Sequence, residues 1–138
     1  MMRYLLDTNA CIALLNNSSP PLLARLRRHK PEEVGLPAPV AYELYYGAYK
    51  SRHANRNLEL LDRIGFEIVS FDASDARMAG AVRSELEAVG RPIGPYDLLI
   101  AGQARARNLV LVTANSREFQ RVKGLECEDW SIAPQRSA

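Results

Sequence analysis

The segment Leu109-Val110-Leu111-Val112-Thr113 carries four consecutive apolar side chains before its first polar one. Successive side chains of a strand point to opposite faces, so an apolar run without alternation has to be covered on both sides. A parallel sheet packed between helices meets that demand; a sheet with one wet face does not. Shorter runs of the same kind lie at residues 4–6 and 34–36; a strand is also expected at 67–70, with a weak last strand at 126–128. Between them fall helical patterns. Residues 10–15 follow the capping triplet Asp7-Thr8-Asn9, and Ser18-Ser19-Pro20-Pro21 opens a second helix running through Arg28. Further helices are expected from near Val40 after Pro37-Ala38-Pro39, and at 55–64, 74–89, 95–107 and 117–121. Strand and helix alternate throughout, so the expected class is α/β, with four to five parallel strands and helices on both faces.

A chain of 138 residues is close to the commonest size of one domain, and one domain over 1–138 is expected. With 47% hydrophobic and 25% charged residues, the composition argues against disorder. A formal charge of +2 is too small to announce a polyanion partner by itself. The basic residues are grouped, however: Arg25, Arg27, Arg28, Lys30, Lys50, Arg52, Arg56 and Arg63 in one stretch, Arg105, Arg107, Arg117, Arg121 and Lys123 in another. By themselves they read as solvated helix faces before phosphate contacts, and only acids that demand a polyanion would shift that reading toward phosphate contacts flanking the site. Cys11 and Cys127 have no metal-ligand spacing and are expected to pack in a reducing cytoplasm. No stretch approaches the ~18 apolar residues of a membrane span, and the N-terminus lacks the apolar core of a secretion signal. A cytoplasmic protein without a membrane partner is the expectation.

In open α/β sheets, ligands sit beyond the carboxyl ends of the strands. Asp7 follows the first strand, Glu43 lies about one helical turn past Pro39, and Thr113 to Ser116 follow the strand that begins at Leu109. Asp97 stands at the start of a neighbouring helix. Carboxylates converging on one edge repel one another unless a cation intervenes, and an all-oxygen set suits Mg²⁺ or Mn²⁺. Such ions support phosphodiester hydrolysis. Each acid has an ordinary alternative: Asp7 as an N-cap, Asp97 as a first-turn acid complementing the helix dipole, and Glu43 as an ion-pair partner of Lys50 or Arg52.

Four segments taken together resemble the PIN-domain ribonucleases of the VapC toxin type. They are Tyr4-Leu5-Leu6-Asp7-Thr8-Asn9, Tyr42-Glu43-Leu44-Tyr45-Tyr46-Gly47, Ile93-Gly94-Pro95-Tyr96-Asp97-Leu98-Leu99-Ile100-Ala101 and Leu111-Val112-Thr113-Ala114-Asn115-Ser116-Arg117-Glu118-Phe119. Each is weak alone; four in this order are specific. The terminal run Leu125-Glu126-Cys127-Glu128-Asp129-Trp130 resembles the family's last strand. The resemblance implies a PIN-like fold whose metal-binding acids are Asp7, Glu43 and Asp97, around one or two Mg²⁺ or Mn²⁺ ions. Asn115 stands where many relatives carry a further acid and is ranked above Glu118 as the fourth catalytic group. Thr8 and Asn9 are expected to orient Asp7, with Thr113 and Ser116 as supporting groups.

The implied activity is that of a Mg²⁺-dependent endoribonuclease, the toxin of a type II toxin–antitoxin pair, acting on structured RNA such as tRNA. The implied partners are a cognate antitoxin whose C-terminal segment enters the active-site groove, and a second copy of the chain, with DNA reached only through the antitoxin. Tyr42, Tyr45, Tyr46 and Tyr49 gather on the Glu43 helix; half are expected in the core, the rest at an interface or under bases. Two rivals remain. A haloacid-type phosphatase would need a second Asp at position 9, which is Asn. A catalytically weak dimerising partner of a DNA-binding antitoxin, in an autoregulatory repressor complex, is the other.

Overall fold

The computed structural model describes residues 1–132; residues 133–138, the end of the expected 1–138 domain, lie outside the described residues. Five strands, β1 (Tyr4–Leu6), β2 (Val34–Pro37), β3 (Glu67–Val69), β4 (Val110–Val112) and β5 (Cys127–Glu128), form one sheet in the order β3-β2-β1-β4-β5. Every neighbouring pair is parallel. Helices α1 (Thr8–Leu15) and α2 (Pro20–Leu26), with a short 3-10 turn at Pro31–Glu33, lead from β1 to β2. Helices α3 (Ala38–Lys50) and α4 (Ala54–Asp62) lead on to β3. The chain then returns through α5 (Ala73–Ala88) and α6 (Pro95–Ala106) to place β4 on the other side of β1, and α7 (Ser116–Phe119) precedes β5. The expected α/β class is what the chain adopts.

The apolar runs are buried as their pattern requires. Leu5, Leu6, Leu111 and Val112 are at most 1% exposed, although they point to both faces of the sheet. β3 departs from that pattern. Its Glu67 and Ile68 are exposed, because β3 is an edge strand and leaves part of its surface to solvent. α3 begins earlier than expected, at Ala38, because Pro39 fits in a first helical turn, where its missing N–H is not needed. α5 starts with a capping box: Asp72 accepts from the Asp75 N–H at 3.1 Å and Asp75 accepts from the Asp72 N–H at 2.9 Å.

The most extensive helix contact joins α5 to α6. Gly102 lies so close to α5 that a Cβ there would stand 2.5 Å from the Ala79 Cα. Across the same junction, Asp75, 1% exposed, receives both Nε and Nη2 of Arg107 at 3.2 and 2.9 Å. Burial would raise the Asp75 carboxyl, but the Arg107 guanidinium and the hydrogen bonds with Asp72 together hold the group below the usual carboxylate range. Arg107 and Gln103 also donate to the Ser70 carbonyl, at 2.9 and 3.0 Å, tying α6 to the end of β3. These contacts hold the C-terminal half of α6, the helix whose first turn carries Asp97.

Candidate active site

β2 and β4 flank β1 on opposite sides, so the chain leaves β1 in one direction and returns on the other. Such a switch point leaves a crevice beyond the carboxyl ends of the two central strands. A cavity of about 240 Å³ lies there, lined by Asp7, Thr8, Asn9, Glu43, Tyr96, Asp97 and Asn115 among others.

Asp7 ends β1 and is the N-cap of α1, its Oδ1 accepting from the Ala10 N–H at 2.8 Å. The capping and the site-lining readings therefore both hold for one residue. Only 5% of Asp7 is exposed. Burial raises its carboxyl, the Thr113 hydroxyl and the Ala10 N–H draw it back, and the charges of Asp129 and Glu43 add to the rise. Glu43, on the second turn of α3, accepts from the Thr8 hydroxyl at 3.1 Å. Neither Lys50 nor Arg52 fills the role of its ion-pair partner: among the described residues, no salt bridge reaches Glu43, and the Lys50 ammonium stands 5.8 Å from the Tyr46 ring centre.

Asp97 sits in the first turn of α6, after Gly94 and Pro95. Its carboxyl is pushed up to about 6, first by burial, then by the charges of Glu118, Asp7 and Glu43 and by a hydrogen bond with Glu118. Glu118 bonds to Asp97 without lining the cavity, whereas Asn115 lines it. Glu118 accepts from the Gly94 N–H at 3.3 Å and from the Asn115 Nδ2 at 2.7 Å, so α7 turns it toward Asp97. The Asn115 N–H donates to the Thr113 hydroxyl at 2.9 Å. Ser116 opens α7, its carbonyl accepting from the Gln120 N–H at 2.8 Å, and does not border the cavity.

Asp129 escaped the sequence reading, yet its charge reaches Asp7. It lies just past β5, at the kind of position where Asp7 was found, and only the brevity of β5 hid it. The tyrosines also correct an expectation. Val40, Ala41, Leu44 and Ala48 take the inner face of α3, so Tyr42, Tyr46 and Tyr49 are 57–70% exposed and only Tyr45 is partly covered. Tyr42 leans on Tyr96 with ring centres 5.8 Å apart. Several of the grouped basic residues are engaged elsewhere, Arg25 with Glu128, Arg105 with Glu85 and Arg107 with Asp75. Cys11 is buried, Cys127 is partly buried, and both are free thiols.

Among the described residues, no three carboxylate, imidazole or thiol groups stand close enough together to form a finished ion cage. Three of the carboxylates accept from donors of the chain: Asp7 from the Ala10 N–H, Glu43 from the Thr8 hydroxyl and Glu118 from the Gly94 N–H. The donor chemistry nevertheless suits a hard divalent cation, since every candidate ligand is oxygen and the ion pairs of the described residues bring no cation to Asp7, Glu43, Asp97 or Glu118.

That unrelieved charge has a measurable cost. A carboxyl raised on folding stabilises the fold most below its unfolded value and loses that contribution as pH rises through its folded value. For Asp97 the window lies between about 4 and 6. In EDTA, the wild-type melting temperature is therefore expected to fall relative to that of Asp97→Asn as pH rises from 4 to 7. Parallel melting curves of the two proteins would contradict the assignment.

Beside Glu43 the crevice continues into an apolar groove of about 290 Å³ between α1, α3 and α4, lined by Ile12, Leu15, Leu44 and Leu60. Ile12 and Leu60 are 42% and 40% exposed there. No helix of the described residues is long and apolar enough to cross a membrane.

The PIN domain family matches residues 4–125. The chain is 41% identical over 135 residues to the tRNA(fMet)-specific endonuclease VapC of Shigella flexneri, covering 95% of this chain and 100% of that protein. Its fold is similar to that in the crystal structure of DNA-bound VapBC from Salmonella typhimurium, with a TM-score of 0.89, 38% identity and coverage of 94% and 99% of the two chains. VapBC2 of Rickettsia felis, solved with a fragment of promoter DNA, gives a TM-score of 0.85 at 36% identity, again covering 94% and 99%.

Proposed function

Since the chain belongs to the PIN-domain family, in its VapC branch, we propose that it is a divalent-cation-dependent endoribonuclease and the toxin of a toxin–antitoxin pair. The observation that carries this reading is the meeting of Asp7, Glu43 and Asp97 around one crevice, with Glu118 bonded to Asp97 and no ion pair to any of them among the described residues. Asp7, Glu43 and Asp97, with Glu118 as the fourth acid and Asn115 as a neutral oxygen donor, would hold Mg²⁺ or Mn²⁺. When bound, such an ion stabilises charge on the phosphoryl oxygens and acidifies water.

The chain's own groups supply the rest. Water attacks phosphorus, the bond to one ribose oxygen breaks, the proton lost by the water passes to a carboxylate, and the departing ribose oxygen takes up a proton from solvent. Asp97 and Glu118 share a hydrogen bond, so a proton that reaches one carboxylate can pass to the other. The Thr8 hydroxyl fixes the orientation of Glu43, and the Ala10 N–H fixes that of Asp7. Structured RNA of the tRNA class is the proposed substrate, and initiator tRNA is the first to test, given the specificity named for the Shigella flexneri relative.

The apolar groove beside Glu43 suits a segment of a cognate antitoxin, which would cover Ile12 and Leu60 and close the crevice. A second role, as the dimerising partner in a DNA-bound repressor complex, is favoured by the DNA in both solved relatives and is compatible with catalysis. Antitoxin-free protein incubated with tRNA, mRNA and ribosomal RNA is expected to cleave in Mg²⁺ or Mn²⁺ and to stop in EDTA. Undiminished cleavage in EDTA would remove the ion from the mechanism. Absence of cleavage of every RNA, with DNA binding by the two-protein complex intact, would leave the repressor role alone.

A further inference from the structure

Two exposed aromatic rings lean on each other at the rim of the crevice. Tyr42 on α3 is 57% exposed and Tyr96 on α6 is 44% exposed. Their ring centres are 5.8 Å apart and their planes are tilted by 34°. Each directly precedes one of the site carboxylates, Tyr42 before Glu43 and Tyr96 before Asp97, and Tyr96 lines the same cavity as those acids. The two helices are packed against each other, so this pair sits on rigid elements rather than on a loop.

We propose that the Tyr42–Tyr96 pair is a stacking platform for one unpaired nucleobase next to the scissile phosphate, and that it selects single-stranded or looped RNA over duplex. The inference rests on the ribonuclease reading above. A phosphate held among the carboxylates by a cation leaves its flanking base within a nucleotide's reach of the rim. There the flat exposed rings offer π-faces, and in RNA recognition such faces take bases that are out of the helical stack. A base inside a duplex is already stacked on both sides and cannot use them. The base lies on the outer face of the pair rather than between the rings, since a sandwich would need roughly twice a contact distance of about 3.5 Å, more than the observed 5.8 Å. Stacking is tolerant of base identity, so the platform confers a preference for unpaired nucleotides rather than for a sequence.

The test compares wild type, Tyr42→Ala and Tyr42→Phe. The probes are a fluorescein-labelled single-stranded oligoribonucleotide, a copy with one abasic position stepped along it, and the same strand in a blunt duplex. Binding is followed by anisotropy and cleavage by gel, in Mg²⁺. Tyr42→Ala is expected to bind and saturate with the single strand about tenfold more weakly, through KM rather than kcat, with Tyr42→Phe within about twofold of wild type. Duplex binding should not change. One abasic position should weaken wild type while leaving Tyr42→Ala unaffected, a coupling that a general loss of folding would not produce. Wild-type affinity in an active Tyr42→Ala overturns the platform and leaves the ribonuclease reading standing. Equal losses in Tyr42→Ala and Tyr42→Phe assign the effect to the hydroxyl and overturn it too, as does a loss confined to capture of the antitoxin. A wild type that neither binds nor cleaves RNA overturns the ribonuclease reading, and this inference with it.

Discussion

Asp97→Asn is expected to lower kcat on RNA by at least about a thousandfold while the protein stays folded, because removing charge stabilisation worth several kcal/mol costs a factor of ten for each 1.4 kcal/mol. Asn keeps the volume and most hydrogen-bonding capacity of the protonated carboxyl. The change therefore isolates the loss of negative charge at this position. Its effect on stability has the opposite sign. In EDTA, Asp97→Asn should melt above wild type at neutral pH, because the neutral amide ends the repulsion that Asp97 shares with Glu118, Asp7 and Glu43. Single-turnover cleavage and a melting scan of the same preparation measure both. A variant with wild-type kcat would remove Asp97 from the reaction. A variant that loses activity because it has unfolded would show it in the scan.

The second large effect concerns the scaffold. Gly102→Ala adds one methyl group that would meet the Cα, Cβ and N of Ala79 at 2.5–2.7 Å. Backbone cannot swing away as the end of a long side chain can, so α5 and α6 must separate along their most extensive contact. A cost of about 3 kcal/mol, or a melting temperature lower by about 10 °C, is expected. Gly80→Ala is the control: it also lies in α5, but a Cβ there meets nothing within 4 Å. With only helix propensity at stake, it should stabilise by about 0.5–1 kcal/mol. Similar denaturation midpoints for the two variants would show that the α5–α6 contact is not the constraint described. Because α6 also carries Asp97, partly folded Gly102→Ala should lose activity in step with the loosening of that helix.

The parts of this molecule that could be read in the sequence are those set by local chemistry. Leu109 to Val112 had to be covered on both faces because four apolar side chains in a row leave no face for water. Asp7 could be located because a capping residue and a strand end coincide, and Asp97 because Pro95 marks the start of a helix. What could not be read depends on rotations about helix axes and on very short elements. Glu118 faces Asp97 only because of how the one-turn α7 is set, and four residues carry no periodicity from which to read a facing side. Asp129 follows a strand of two residues. The tyrosines of α3 share its outer face because Val40, Ala41, Leu44 and Ala48 claim the inner one, a competition that an aromatic count does not reveal.

The strand order has a consequence for the making of the protein. β1, which ends in Asp7, lies at the centre of the sheet, but one of its two neighbours is β4, which comes near the end of the chain. Asp7 and Glu43 are synthesised well before Asp97 and Glu118, by on the order of several seconds at the usual pace of translation. Throughout that interval β1 is a bare edge and the crevice lacks one wall. The crevice can therefore close only after β4 has docked beside β1, so its two walls are assembled from opposite ends of the chain.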